Sequence, residues 1–293
     1  MSLYRISGIE TPMQVFENTL DFNQVDHSIV FCNANGFPPG SYKNLLSRLH
    51  VSRIYAPKFR PLWQPWSPDT AGLWRTLSDD LIELIEALQQ QSDFAGKPVT
   101  LVGHSLGATV ALIAAHKRPE LFKRLILMEP VLLSKKLLIP AKLMPKRMIQ
   151  KRSPLAVKTL RRQDFFDTQQ QAFEFHRKAR VFNDYSDEAL WDYIEAGTEP
   201  VSDGQGFKLS YCKYWEAAFY QKPPWLWHIL HSINVDTVGI RAQRSDTLTQ
   251  GCWRKWQQLQ TRAQYVEMKD CGHLMAMSHP EQTAKVLNRY LTD

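Results

Sequence analysis

The hydrophobic pattern changes rhythm twice along the chain. Up to about residue 130, short apolar runs alternate with longer amphipathic ones. Met13–Glu17, Ser28–Phe31, Ser52–Tyr55, Val99–Val102 and Leu125–Met128 read as strands, and Ser41–Leu49 and Leu73–Gln91 as helices. In the second helix, Leu77, Leu81, Leu84, Ile85 and Leu88 recur at helical spacing. Strands alternating with helices predict a doubly wound, mostly parallel sheet. From Pro130 to His231 the pattern turns helical, basic and aromatic, with Phe165–Val181 and Asp187–Ala196 as the clearest helices. The alternation then resumes: a strand at Thr237–Ala242, a helix near Cys252–Leu259, a strand at Gln264–Met268 and a last helix from about Pro280. Core elements thus flank the middle segment. The pattern predicts an α/β core built from 1–130 and 232–293, with 131–231 inserted as a helical cap over the strand ends.

The most specific local signal is Gly103-His104-Ser105-Leu106-Gly107, between an apolar strand and the packed run Ala108–Ala115. A serine on a sharp strand-to-helix turn needs small neighbours, and the two glycines supply them. The turn lifts the Ser105 hydroxyl to a helix N-terminus, where negative charge is favoured. A serine nucleophile requires a base, and the base an orienting acid. His273, in Asp270-Cys271-Gly272-His273 after the last strand, is the candidate base. Two carboxylates compete for the acid. Asp246, in the polar loop after the penultimate strand, keeps the order Ser, Asp, His and is preferred; Glu129, at the end of the strand after the serine helix, is the alternative. An oxyanion needs two N–H donors. These are assigned to the amides of Leu106 and of Phe37, the latter in Asn33-Ala34-Asn35-Gly36-Phe37-Pro38-Pro39-Gly40. His104 is read as a packing residue.

Composition narrows the setting. The cysteines, Cys32, Cys212, Cys252 and Cys271, are scattered and fit reduced thiols, not a disulfide framework or a zinc site. Met1–Arg5 lacks the pattern of a secretory signal, and no apolar run approaches the roughly 20 residues of a membrane span. A cytoplasmic protein is expected. The net charge of +7 is concentrated between Lys135 and Arg162, a stretch without acids. A solvated helical face is the plain reading of that stretch, and contact with an anionic membrane surface or an acidic substrate the sharper one. No motif supports a nucleic-acid partner.

Taken together, these motifs resemble the α/β-hydrolase superfamily, in its cap-bearing branch of serine hydrolases and esterases. Asn35-Gly36-Phe37-Pro38 is similar to the family's His-Gly-x-Pro oxyanion loop, with asparagine in place of histidine. Val99–Pro119 resembles the elbow strand and helix, Arg244-Ser245-Asp246 the acid loop, and Gly272-His273 the histidine loop. The resemblance implies Ser105 as nucleophile, Asp246 as acid, His273 as base, and the Phe37 and Leu106 amides as oxyanion donors, with no metal or organic cofactor. Serine in place of aspartate at the elbow favours acyl transfer. The expected substrate is a small, partly apolar carboxylic ester, with some of the insert's aromatic residues, among them Phe165, Phe166, Trp215, Phe219 and Trp227, lining its pocket and the others packing as cap core. A C–C bond hydrolase or thioesterase uses the same triad. A ligand-binding protein without turnover is the reading from a different class.

Overall fold

The computed structural model describes residues 2–6, 9–18, 27–67, 73–91, 93–134, 153–202 and 204–291. Eight strands make one sheet: β1 (Ser2–Ile6), β2 (Ile9–Glu17), β3 (Ser28–Cys32), β4 (Arg53–Pro57), β5 (Val99–His104) and β6 (Phe122–Met128) before the insert, with Asp236–Ala242 and Gln264–Met268 after it. In space they run β1, β2, β4, β3, β5, β6, then the two late strands. β2 is antiparallel to both its neighbours, and every pair from β4 onward is parallel.

The strand sequences explain this placement. Ile29 and Phe31 pack into one core, Val30 and Cys32 into the other, so both faces of β3 are apolar. The same alternation holds in β6, with Leu125 and Leu127 on one side and Ile126 and Met128 on the other. Strands apolar on both faces belong in a parallel sheet covered by helices. One face carries α2 (Leu73–Gln89) and α3 (Leu106–Lys117). The other carries α1 (Lys43–Leu46), the last two helices and part of the insert.

Register then gathers the loops. Cys32 pairs with Gly103, His104 with Met128, and Met128 with Ile240. The segments beginning at Asn33, Ser105 and Glu129 therefore leave the sheet at one edge, the carboxyl end where open α/β sheets place their sites.

Among the described residues, the insert adds no strand to this sheet. It contains α4 (Pro154–Arg161), β7 (Phe165–Phe166), α5 (Gln169–Arg177), α6 (Asp187–Gly197), β8 (Thr198–Pro200), β9 (Phe207–Leu209) and α7 (Lys213–Gln221). The core resumes with β10 (Asp236–Ala242), α8 (Gln250–Leu259), β11 (Gln264–Met268), α9 (Met275–Ser278) and α10 (Pro280–Leu291).

The helix expected over Phe165–Val181 is shorter than its pattern. Phe165 and Phe166 pair with Lys208 and Phe207 in a small antiparallel sheet, and α5 starts only after Thr168, whose Oγ1 accepts from the Gln171 amide at 3.1 Å. The aromatic residues of the insert divide: Phe166, Trp215, Phe219 and Trp227 are buried in the two cores, while Phe165 is exposed. Of the basic stretch, 135–152 lies outside the described residues. On α4, Lys158 and Arg161 are exposed, whereas Arg162 turns inward to Glu216 at 2.7 Å. All four cysteines are free. Among the described residues no helix is long and apolar enough to cross a membrane.

Candidate active site

Ser105 occupies the turn between β5 and α3 at φ 51°, ψ −108°, a conformation that side chains rarely adopt. Bonds on both sides hold it there. Its amide donates to Met128 O at 2.9 Å, and its carbonyl accepts the Thr109 hydroxyl at 2.8 Å. The flanking glycines are sterically required. A Cβ on Gly107 would lie 2.2 Å from Cys32 O, and one on Gly103 would lie 2.7 Å from the Ala108 backbone. The Gly107 amide instead donates to Asn33 O at 3.0 Å, so the elbow is pressed directly against the end of β3.

The Ser105 hydroxyl lies 3.0 Å from His273 Nε2. His273 Nδ1 lies 2.9 Å from Glu129 Oε2. Glu129 follows β6 at φ 55°, its side chain fully buried. Its other oxygen accepts the Ala242 amide at 2.7 Å, and the Ser245 hydroxyl donates to Oε2. With Glu129 Oε2 as the acceptor, Nδ1 carries the proton and Nε2 faces the serine as acceptor.

Asp246 does not reach this line, which corrects the acid expected from chain order. It is exposed, and it accepts a bond from Thr247 Oγ1 at 3.4 Å. Ser245 turns inward instead, donating to Glu129 and accepting from the Leu248 amide at 2.9 Å. The loop expected to deliver the acid therefore delivers a hydroxyl donor to Glu129.

Leu106 opens α3, and its amide has no carbonyl of its own helix to meet, the state an oxyanion donor requires. The Phe37 amide is engaged: it closes a turn on Ala34 O at 3.2 Å, with Gly36 at φ 80° in the position that a type II turn reserves for glycine. A bond this long can be shared with a second acceptor.

His104 does more than pack. It is fully buried, and burial, reinforced by the neighbouring His273 ring, pushes its pKa down to about 3. The neutral ring spans two partners. Nε2 lies 2.9 Å from His273 O and so donates, leaving Nδ1 to accept the Tyr42 hydroxyl at 2.8 Å. The Tyr42 oxygen in turn accepts the Ala34 amide at 3.0 Å. One chain of bonds thus joins the Ala34 backbone to the backbone of His273. Ser245, His104 and Tyr42 carry no sequence signal for these duties, since each depends on contacts between distant loops.

The sequence profile of the Alpha/beta hydrolase family matches residues 29–286. A monoglyceride lipase homolog of Monkeypox virus is 49% identical over 41 residues, covering 14% of this chain and 15% of that protein. Human monoglyceride lipase is 34% identical over 55 residues, covering 19% of this chain and 18% of that protein. The chain thus matches less than a fifth of the length of these curated relatives. Among solved structures, E-2-(acetamidomethylene)succinate hydrolase superposes with a TM-score of 0.79 at 17% identity, over 100% of this chain and 98% of that one. What is shared at that identity is the fold. With the profile running from β3 to the last helix, the chain belongs to the alpha/beta hydrolase family.

Proposed function

We propose that the chain is a serine hydrolase cleaving carboxylic esters through an acyl-enzyme on Ser105. The observation that carries this reading is the unbroken relay from Ser105 Oγ to His273 Nε2 at 3.0 Å and from His273 Nδ1 to Glu129 at 2.9 Å. Ser105 attacks the carbonyl carbon while His273 takes its proton. Glu129 stabilises the resulting imidazolium and fixes the ring. The tetrahedral oxyanion is met by the Leu106 amide and by the Phe37 amide, which shares its bond with Ala34 O. The alcohol leaves with the proton from His273. A water then repeats the sequence on the acyl-enzyme, and no step calls for a metal or organic cofactor. The segment 131–231 serves as the cap over this edge of the sheet. An ester as the bond cleaved is supported by the short matches to proteins named monoglyceride lipases.

A fluorophosphonate probe should label the protein at Ser105, and Ser105→Ala should abolish labelling. Folded protein that resists the probe would overturn the enzyme reading in favour of ligand binding without turnover. A panel of short- and long-chain p-nitrophenyl esters, thioesters and lactones then tests the bond. Turnover of thioesters with none of oxygen esters would reassign it.

A further inference from the structure

The turn carrying the Phe37 amide is gripped by the insert. Asn35 is almost fully buried, and both ends of its side-chain amide are used by residues of the insert. Its Nδ2 donates to Glu216 O at 3.1 Å, and its Oδ1 accepts the Tyr211 hydroxyl at 2.9 Å. The Glu216 carboxylate closes over the same turn, with a Cβ on Gly36 falling only 3.1 Å from its carboxyl carbon. Phe37 packs its ring against Tyr193 and Phe182, at centroid distances of 5.2 and 6.4 Å. Just beyond, the Asn44 amide donates to Asp192 at 3.2 Å.

Two features show that this grip suits an oxyanion site. A carboxylate so near a loop meant to stabilise negative charge would oppose that charge. Arg162 neutralises it with two bonds, of 2.7 and 3.3 Å, and Thr159 adds a third at 3.3 Å. Asparagine also fits the joint where an acid or an apolar residue would not. It offers a donor to a carbonyl and an acceptor to a hydroxyl in one planar group. A buried partner left unmatched by either would carry a desolvation cost.

From this we propose that Asn35 is a positioning residue through which the insert sets the Phe37 amide beside the elbow. The inference rests on the serine hydrolase reading, because it gives that amide its task. The insert is then part of the catalytic geometry as well as a cover for substrate, and displacing it detunes the oxyanion site.

The test compares wild type, Asn35→Ala, Tyr211→Phe and the double variant on one p-nitrophenyl ester. An aliphatic trifluoromethyl ketone serves as oxyanion mimic. Ser105 Oγ adds to its carbonyl carbon, the serine proton passes to His273, and the carbonyl oxygen becomes the bound oxyanion. Misplacing one donor should lower kcat about 30-fold in Asn35→Ala and about 5-fold in Tyr211→Phe, with KM within about twofold. Ketone affinity should fall in parallel with kcat. Because both changes break one joint, the double variant should be no worse than Asn35→Ala. Tyr211→Phe removes a single hydroxyl and keeps the packing, so it remains informative if Asn35→Ala fails to fold. Active wild type with kcat and ketone affinity unmoved in Tyr211→Phe, or with multiplicative losses in the double variant, overturns the inference alone. Wild type that turns over no ester and binds no ketone overturns the functional reading and this inference with it.

Discussion

Glu129 sits in an unfavourable backbone region, φ 55°, with a fully buried carboxyl group. An unpaired charge there would cost several kcal/mol, and the donors around it offset that cost. It has three: His273 Nδ1, the Ala242 amide and the Ser245 hydroxyl. Asp246, one residue from Ser245, is in solvent and lacks that enclosure. The two carboxylates should therefore separate sharply under isosteric replacement. Glu129→Gln keeps the volume but offers His273 an amide, which favours the wrong tautomer. A loss of about 10⁴ in kcat is expected, as for removal of the acid's charge in other triads. Asp246→Asn should stay within about twofold of wild type on the same p-nitrophenyl ester. Equal losses, or the reverse order, would return the acid to Asp246.

Among the elements, those fixed by local pattern are legible in the sequence and those fixed by register are not. Leu125–Met128 is a continuous apolar run and Val99–Val102 one broken only by Thr100, because their strands are buried on both faces, and a run of that kind stands out along the chain by itself. Ser105 and His273 follow directly, each just past a recognisable strand. Whether the end of β6 or the loop after β10 faces His273 depends on the pairing of Met128 with Ile240, which no local run encodes. Phe165 and Phe166 mislead for a related reason, because a two-residue strand has no periodicity of its own and merges with the helix beyond Thr168. The elbow is the element in which pattern and geometry agree most tightly, and it gives a stability prediction. Gly107→Ala would place a Cβ 2.2 Å from Cys32 O, backbone that cannot yield without moving β3. Destabilisation of about 3 kcal/mol or more is expected in urea unfolding. Gly251→Ala, where an added Cβ meets nothing within 4 Å, should be near neutral or slightly stabilising. A mild Gly107→Ala would show that the strand end and the elbow are not in forced contact.

For the whole molecule, two buried histidines make stability depend on pH. Burial pushes His104 down to about 3 and His176 to about 4. A histidine in the unfolded chain titrates near 6.5. Between that pH and the folded values the unfolded state binds more protons, so stability rises with pH. This contribution is complete above about pH 6.5. It is lost as the pH falls toward 4, at up to about 1.4 kcal/mol per pH unit for each group. Replacing His104 would break its bonds to the Tyr42 hydroxyl and the His273 carbonyl, whereas replacing His176 loses one bond within its own helix. Its Nδ1 donates to Ala172 O at 2.7 Å within α5, while its buried Nε2 has no partner among the described residues. The ring is walled by Phe166, Phe175, Phe182 and Tyr193, with centroids 5.2 to 5.7 Å away. Phenylalanine suits those walls and removes both the proton and the orphan nitrogen. Urea unfolding of wild type should show lower stability at pH 5.0 than at pH 7.5. In His176→Phe the difference should shrink by about 2 kcal/mol, the share of one group over the 1.5 units below its unfolded pKa. An unchanged difference would mean that His176 is protonated in the folded protein at pH 5.0, and that water reaches the ring the structure buries.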